Sequence, residues 1–158
     1  MLGVERGSLP EFGFLPRVPL VTKGTERTEI DMKLGTMLFE AKLTESGFQI
    51  QRADIVEQYR DFREIFEYRL LPRAKEKYVS YQLIRNILAA HSLGLDFCTL
   101  LDARRPDLIE AWYNIVCRIR SADFRARCKV LTWQELTECL PAALQNFLGL
   151  KYGIVPGA

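Results

Sequence analysis

Two stretches that alternate polar and apolar residues, on either side of Gly35-Thr36, constrain the fold of this chain more than any other feature. Residues 29–34 and 37–44 change character at almost every position, which is the pattern of a β-strand with two different faces. A glycine at the first position of a two-residue connection suits a type II′ turn. We therefore predict a tight β-hairpin across this segment.

The turn also determines which residues of the two strands lie opposite each other. Pairing outward from the turn places Asp31 opposite Glu40 and Glu29 opposite Lys42, and opposite residues of an antiparallel pair project from the same face. We expect the second face, which is entirely apolar, to pack against the core of the protein. Its members are Ile30, Met32, Leu34, Met37, Phe39, Ala41 and Leu43.

The charged face of this hairpin has two interpretations. Two opposed carboxylates, here Asp31 and Glu40, repel each other unless a positive charge lies between them. A divalent cation takes oxygen ligands of this kind, and Lys42 could then assist an attacking water or offset negative charge on a phosphate. The alternative is an ordinary solvent-exposed strand face with alternating charges. The residues alone leave both interpretations open.

The rest of the chain predicts alternating helices and strands. Apolar residues at helical spacing indicate helices over residues 54–70 and 80–93, and Pro106 marks the start of another helix. Short apolar runs at 97–101 and 128–131 are typical of buried strands. The predicted fold class is α/β, with a central mixed β-sheet flanked by helices.

The 158 residues suit a single domain. Residues 1–26 hold four glycines and three prolines, and we predict an irregular lead-in there with one short edge strand near residues 12–15. The domain proper is predicted over 27–150 and a loose tail over 151–158. Thr132 and Glu135 have the spacing of a capping box, which predicts a helix that begins after Thr132.

The composition narrows the function classes. Twenty-two Lys and Arg against 20 Asp and Glu give a net charge of only +2, which excludes charge-driven nucleic-acid binding by the whole protein. No apolar stretch approaches the length of a membrane span, and we expect no membrane association and a cytoplasmic location. Four widely spaced cysteines lack a zinc-binding pattern and are expected to be reduced and structural. They are Cys98, Cys117, Cys128 and Cys139.

Asp31, followed after eight residues by Glu40-Ala41-Lys42 on an otherwise apolar strand, resembles the signature of the PD-(D/E)xK nuclease superfamily, whose members share the restriction-endonuclease-like fold. The resemblance implies that Asp31 and Glu40 bind Mg²⁺, with Mn²⁺ as a substitute, and that Ala41 contributes its backbone carbonyl. It implies that Lys42 is the catalytic lysine. The function implied is a metal-dependent nuclease that hydrolyses DNA phosphodiester bonds, of restriction or repair type.

The resemblance also directs attention to the helix predicted over residues 80–93. Some superfamily members carry a glutamine on the helix after the lysine strand, which implies an auxiliary role for Gln82 near the scissile phosphate. Asn86 lies one helical turn further on. The alternative is that both side chains belong to an ordinary polar helix face.

Three further points bear on partners and activity. Seven Lys and Arg against three acids over residues 104–129 could contact the phosphates of DNA or could be ordinary surface. No separate recognition domain is visible, so sequence specificity would need a homodimer or a separate partner chain. The superfamily fold usually begins with a helix that residues 1–26 do not predict. Two alternatives follow: a catalytically inactive nuclease-like module that binds DNA or a protein partner, or a structural protein whose hairpin face is exposed to solvent.

Overall fold

The computed structural model describes residue 4 and residues 7–157. The strands are β1 (Pro10–Phe14), β2 (Val18–Pro19), β3 (Thr25–Glu26), β4 (Ile30–Leu34), β5 (Met37–Ala41), β6 (Ile50–Arg52), β7 (Arg73–Ala74), β8 (Lys77–Val79), β9 (Asp96–Leu101) and β10 (Cys128–Thr132). The helices are α1 (Ala53–Val56), α2 (Phe62–Ile65), α3 (Tyr81–Leu93), α4 (Pro106–Val116), α5 (Ala122–Ala126), α6 (Trp133–Glu138) and α7 (Ala142–Tyr152), with a 3₁₀ turn at Tyr68–Leu70.

Within the described residues the central sheet has five strands in the order β1-β4-β5-β9-β10. The first three are antiparallel, whereas β9 and β10 run parallel to β5. The predicted hairpin register is confirmed between Leu34–Met37 and Met32–Phe39. Gly35 has the positive φ of +57° that the first position of a type II′ turn requires. The predicted fold class, a mixed sheet flanked by helices, is confirmed.

Both faces of β5 are buried, and the larger core lies on the face that carries Glu40. Leu38, on this face, packs with Phe97 of β9 in the main hydrophobic cluster, beneath α3. Met37 and Phe39, on the opposite face, belong to a smaller cluster. The expectation that the apolar face packs against the core is therefore incomplete, because Met37 and Phe39 join the smaller cluster, Ile30 joins the main one, and the charged face of β5 also lies under a helix. The physical reason is that β5 has a strand on each side, and central strands of α/β sheets are covered on both faces.

Three of the predicted helical signals are confirmed. The helix predicted over 80–93 is α3, which ends at Gly94 in the left-handed region at φ +68°. Helix α4 begins with Pro106 at its first turn. Thr132 and Glu135 form the predicted capping box at the start of α6. The last helix, α7, extends to Tyr152, beyond the predicted start of the loose tail.

The single helix predicted over residues 54–70 is wrong. The segment forms only α1, α2 and the 3₁₀ turn, because backbone groups between them bond to distant parts of the chain. Val21 donates to the carbonyl of Gln58, Arg60 donates to that of Pro19, and Glu67 donates to that of Arg118. Tertiary hydrogen bonds thus override the helical spacing of the apolar residues.

The predicted edge strand in the lead-in is confirmed as β1, which pairs with β4 at the margin of the sheet. Cys98 and Cys128 are buried, as expected for structural cysteines, but Cys117 and Cys139 are exposed, so their expected core positions are wrong. No disulfide joins the four thiols. Among the described residues, no helix combines the length and apolar character needed to cross a membrane.

Candidate active site

A cleft of about 460 Å³ opens at the end of the sheet where β5 terminates. The carboxyl ends of sheet strands are the usual location of ligand sites in α/β proteins. The four side chains that the sequence analysis selects all line this cleft; they are Asp31, Glu40, Lys42 and Gln82. They come from β4, from β5 and the residue after it, and from α3. Glu40 and Lys42 are buried, so the interpretation of this face as ordinary solvent-exposed surface is wrong for these two residues, whereas Asp31 is exposed.

The cleft has space because the hairpin strands separate at Asp31. The paired register ends at Met32 and Phe39. Beyond this pair the backbone N–H of Ala41 donates to a side chain, the Oδ2 of Asp31, at 2.7 Å. This contact leaves the Asp31 side chain exposed at the mouth of the cleft. The backbone N–H of Ala41 is thereby bound to Asp31, whereas the predicted role of Ala41 concerns its carbonyl and stays a prediction.

Glu29 does not face Lys42, contrary to the extended hairpin register. Its carbonyl accepts a hydrogen bond from Arg85 of α3 at 3.2 Å. Its carboxylate lies against β1, where a Cβ on Gly13 would be 2.6 Å from Glu29 Oε1. Gly13 has φ +63° as well, so both backbone conformation and space favour glycine there. The strands diverge too early for Glu29 to reach the cleft.

A buried ion pair forms the centre of the site. Lys42 Nζ lies 2.6 Å from Glu40 Oε1, with only 5% and 2% of the two side chains exposed. The lysine backbone is held on both sides, because its N–H donates to the Leu100 carbonyl at 2.8 Å and its carbonyl accepts from Trp133 Nε1 at 2.9 Å. A buried charge pair fixed in this way has little freedom to reorient.

Helix α3 supplies the polar side chains that face this pair. Asn86 Nδ2 donates to Glu40 Oε2 at 2.7 Å, and Asn86 Oδ1 accepts from Arg85 Nε at 3.0 Å. Gln82, one turn earlier, has its Oε1 buried without a hydrogen-bond partner. A buried acceptor without a partner is costly unless something else satisfies it. The polar helix face is therefore turned toward the cleft rather than toward solvent.

Two further residues of the site were not selected from the sequence. Thr99 aligns with Glu40 in the parallel register of β5 and β9, and its buried hydroxyl oxygen has no partner. Glu45 lines the cleft from the loop after β5. Burial raises the pKa of Glu45, but the backbone N–H groups of residues 43–45 and the charge of Lys42 outweigh it and hold the pKa below its usual value. The sequence offered no periodic signal for either residue.

The oxygen donors at the cleft fit Mg²⁺. Within the described residues no group of three or more His, Cys, Asp or Glu side chains is arranged to hold a metal ion. Mg²⁺ does not need such a cage, because it usually binds one or two carboxylates together with water and phosphate oxygens. Asp31 and Glu40 provide the carboxylates, and the unpartnered Oε1 of Gln82 provides a further oxygen at the same cleft.

The basic residues over 104–129 do not form one patch beside the cleft. Arg105 lies close to it and donates to the carbonyls of Glu45 and Ser46 at 3.2 Å each. Arg127 and Lys129 instead pair with Asp96 at the opposite end of the sheet, where β9 begins. Only the first part of this region is therefore placed to act with the cleft.

A mixed five-stranded sheet with flanking helices, and a cleft of acids and a lysine where β5 ends, define a restriction-endonuclease-like α/β protein. Residues 1–153 match the model of the family REase-ARP, described as Restriction Endonuclease associating with ARP. The chain belongs to this family. No curated protein and no solved structure matches it.

Proposed function

We propose that the protein is a Mg²⁺-dependent nuclease of the PD-(D/E)xK type that hydrolyses DNA phosphodiester bonds. One observation carries the proposal: the two acids and the lysine of the motif, together with Gln82, line a single cleft although they come from separate elements. The family description, which names a restriction endonuclease, supports the same class of activity. Asp31 and Glu40 are the proposed metal ligands, with the Ala41 carbonyl beside them.

The side chains of the cleft divide the work of hydrolysis. When bound, Mg²⁺ supplies positive charge to the phosphate and acidifies water. The ammonium of Lys42 orients the attacking water and offsets negative charge that develops on the phosphate oxygens. Asn86 holds the Glu40 carboxylate in place through its 2.7 Å bond, and the free Oε1 of Gln82 accepts a hydrogen bond from the attacking water and so orients it.

The second candidate function is a nuclease-like module that binds DNA or a protein partner without cleavage. The family description favours it in one respect, because it names association with ARP. A homodimer or a separate specificity subunit would also supply a surface for sequence recognition. Metal affinity separates the two candidates, since a binding module has no need of a metal site that depends on Asp31.

Cleavage assays with matched variants test the proposal. Asp31 is exposed, so Asp31→Asn removes a charge without burying an unpaired group, and Asp123→Asn provides a control at an exposed position of α5. We expect Asp31→Asn and Lys42→Met to lower the rate on plasmid and oligonucleotide DNA about 100-fold or more in Mg²⁺ or Mn²⁺, whereas the control keeps the wild-type rate.

Mn²⁺ binding measured by calorimetry completes the test. We expect Asp31→Asn to lose the metal affinity that Asp123→Asn retains. Cleavage at the wild-type rate by both Asp31→Asn and Lys42→Met would show that the assignment is wrong. Cleavage of RNA in place of DNA would refute DNA as the substrate but would still support metal-dependent hydrolysis of phosphodiester bonds.

A further inference from the structure

A second cleft, of about 730 Å³, adjoins the candidate active site. Gln49 lines both clefts and separates them. It is held in the left-handed region at φ +58°, with its carbonyl accepting from the Tyr81 N–H at 3.1 Å. The backbone of this wall is therefore tied to the start of α3, the helix that supplies Gln82.

The second cleft has a mixed lining of polar, apolar and charged side chains, and its charged members are Glu26, Asp54 and Arg85. Leu20 and Ile55 line it, as do Tyr59 and Tyr81. The hydroxyls of the two tyrosines form a hydrogen bond with each other at 2.7 Å. Glu26 and Arg85 also line it, and they form no ion pair with each other. A concave space on which a few apolar side chains and several polar groups converge is typical of a site for a small ligand.

Glu26 provides an unused acceptor in this cleft. Its Oε1 accepts from the Thr28 N–H at 2.9 Å, but its Oε2 is buried without a partner. An ionised carboxylate only accepts hydrogen bonds, so a ligand at this position must donate. Arg85 is a donor and selects for acceptors on the ligand.

Arg85 also connects the two clefts. Its Nε donates to Asn86, and Asn86 donates to Glu40 of the buried ion pair. A ligand that contacts Arg85 in the second cleft is therefore two hydrogen bonds away from the proposed metal ligand Glu40. This arrangement suits a nucleotide next to the phosphate under attack.

We propose that the second cleft binds a guanine base of the substrate strand. An unpaired guanine offers donors, its N1–H and 2-amino group, toward the free Oε2 of Glu26, and acceptors, its O6 and N7, toward Arg85. Leu20 and Ile55 are the aliphatic side chains of the cleft that can contact its ring. This inference rests on the proposed function, because the strand that places guanine here is the substrate of the first cleft.

Binding without cleavage tests the inference. Fluorescence anisotropy is measured with a labelled short oligothymidylate that carries one central guanine, adenine, cytosine or hypoxanthine, in Ca²⁺ instead of Mg²⁺. We expect the guanine strand to bind about 5- to 150-fold more tightly than the adenine or cytosine strands, the range for a good bidentate base contact. Hypoxanthine, which lacks the 2-amino group, should lose part of this preference even with the wild-type protein.

Glu26→Gln removes the charge and keeps the size of the side chain, and Glu110→Gln is the matched control on the exposed surface of α4. We expect Glu26→Gln to lose the preference for guanine and Glu110→Gln to keep it. Equal affinity of the wild-type protein for all four strands, no binding of any strand, or a preference that persists in Glu26→Gln would overturn the inference. Competition by free GMP as strong as by the guanine strand would overturn the assignment to the substrate strand.

Cleavage of the same strands in Mg²⁺ separates this inference from the proposed function. A protein that prefers guanine but cleaves nothing refutes the nuclease assignment, and with it the identification of the bound strand as a substrate. A protein that cleaves all strands without a base preference refutes only the guanine site.

Discussion

Breaking the Glu40–Lys42 ion pair should destabilise the protein strongly, whereas removing both charges together should not. The perturbation is a double-mutant cycle of Glu40→Gln, Lys42→Met and the combined variant. Each single substitution leaves one charge in a place where at most 5% of the side chain is exposed. The combined variant leaves no charge at either of these two buried positions.

The structure gives the magnitudes. At the observed N···O distance of 2.6 Å and an effective dielectric constant near 20, the Coulomb attraction of the pair is about 6 kcal/mol. Desolvation of each ion costs several kcal/mol, so the attraction and the desolvation nearly cancel. Removing one partner leaves the desolvation of the other uncompensated, and we expect each single variant to lose about 3–5 kcal/mol of unfolding free energy.

Urea denaturation followed by the fluorescence of Trp112 and Trp133 measures these changes. In a separate thermal denaturation, the single variants of a chain of this length should have a Tm about 6–20 °C below that of the wild type. The combined variant should lie within about 1 kcal/mol of the wild type, which gives a coupling energy of about 5 kcal/mol or more. Single substitutions that are each nearly neutral, or that add without coupling, would refute the conclusion that this pair is buried and mutually dependent.

Three other predictions concern the rest of the fold. The exposed thiols Cys117 and Cys139 should react with a disulfide reagent such as DTNB within minutes at pH 8, whereas the two buried thiols, whose pKa burial raises to about 12, should react only on unfolding; rapid reaction of all four would contradict their burial. Hydrogen bonds from Arg104 hold the pKa of Asp102 below its usual value of 3.8, so its stabilisation is complete above that pH and is lost as the pH falls further. Asp102→Asn should therefore lose less unfolding free energy than the wild type when urea titrations are compared between about pH 4 and pH 2, and parallel curves would disprove the linkage. Thr132→Ala removes the capping box and should cost about 1 kcal/mol in urea denaturation, and no change would show that the cap is not stabilising.

The positions of Asp31, Glu40 and Lys42 were predictable because a hairpin turn and strict alternation leave few choices. Once Gly35 sets the turn, side chains two residues apart must share a face. Gln82 was also predictable, because helical spacing placed it on a polar face and the resemblance pointed to that helix. These are local rules, and they give the correct result wherever local structure decides the conformation.

The predictions that were wrong share one physical cause, which is contact between segments that are distant in the sequence. The burial of Glu40 depends on β9 as the second neighbour of β5, and no pattern within the hairpin shows that neighbour. The divergence of Glu29 depends on Arg85, far along the chain. Likewise, the segment from 54 to 70 has helical spacing but gives its backbone hydrogen bonds to residues elsewhere, such as Pro19.

The parallel pairing of β5 with β9 also determines when the site is formed during folding. The hairpin β4–β5 is local and closes a short loop, whereas β5 and β9 meet only after the long segment between them, including α3, is in place. Pairing of this kind is slow because the entropy of closing a long loop must be overcome first. Until then, Glu40 and Lys42 are hydrated and Asn86 is distant. Assembly of the candidate active site is therefore a late event that coincides with completion of the core.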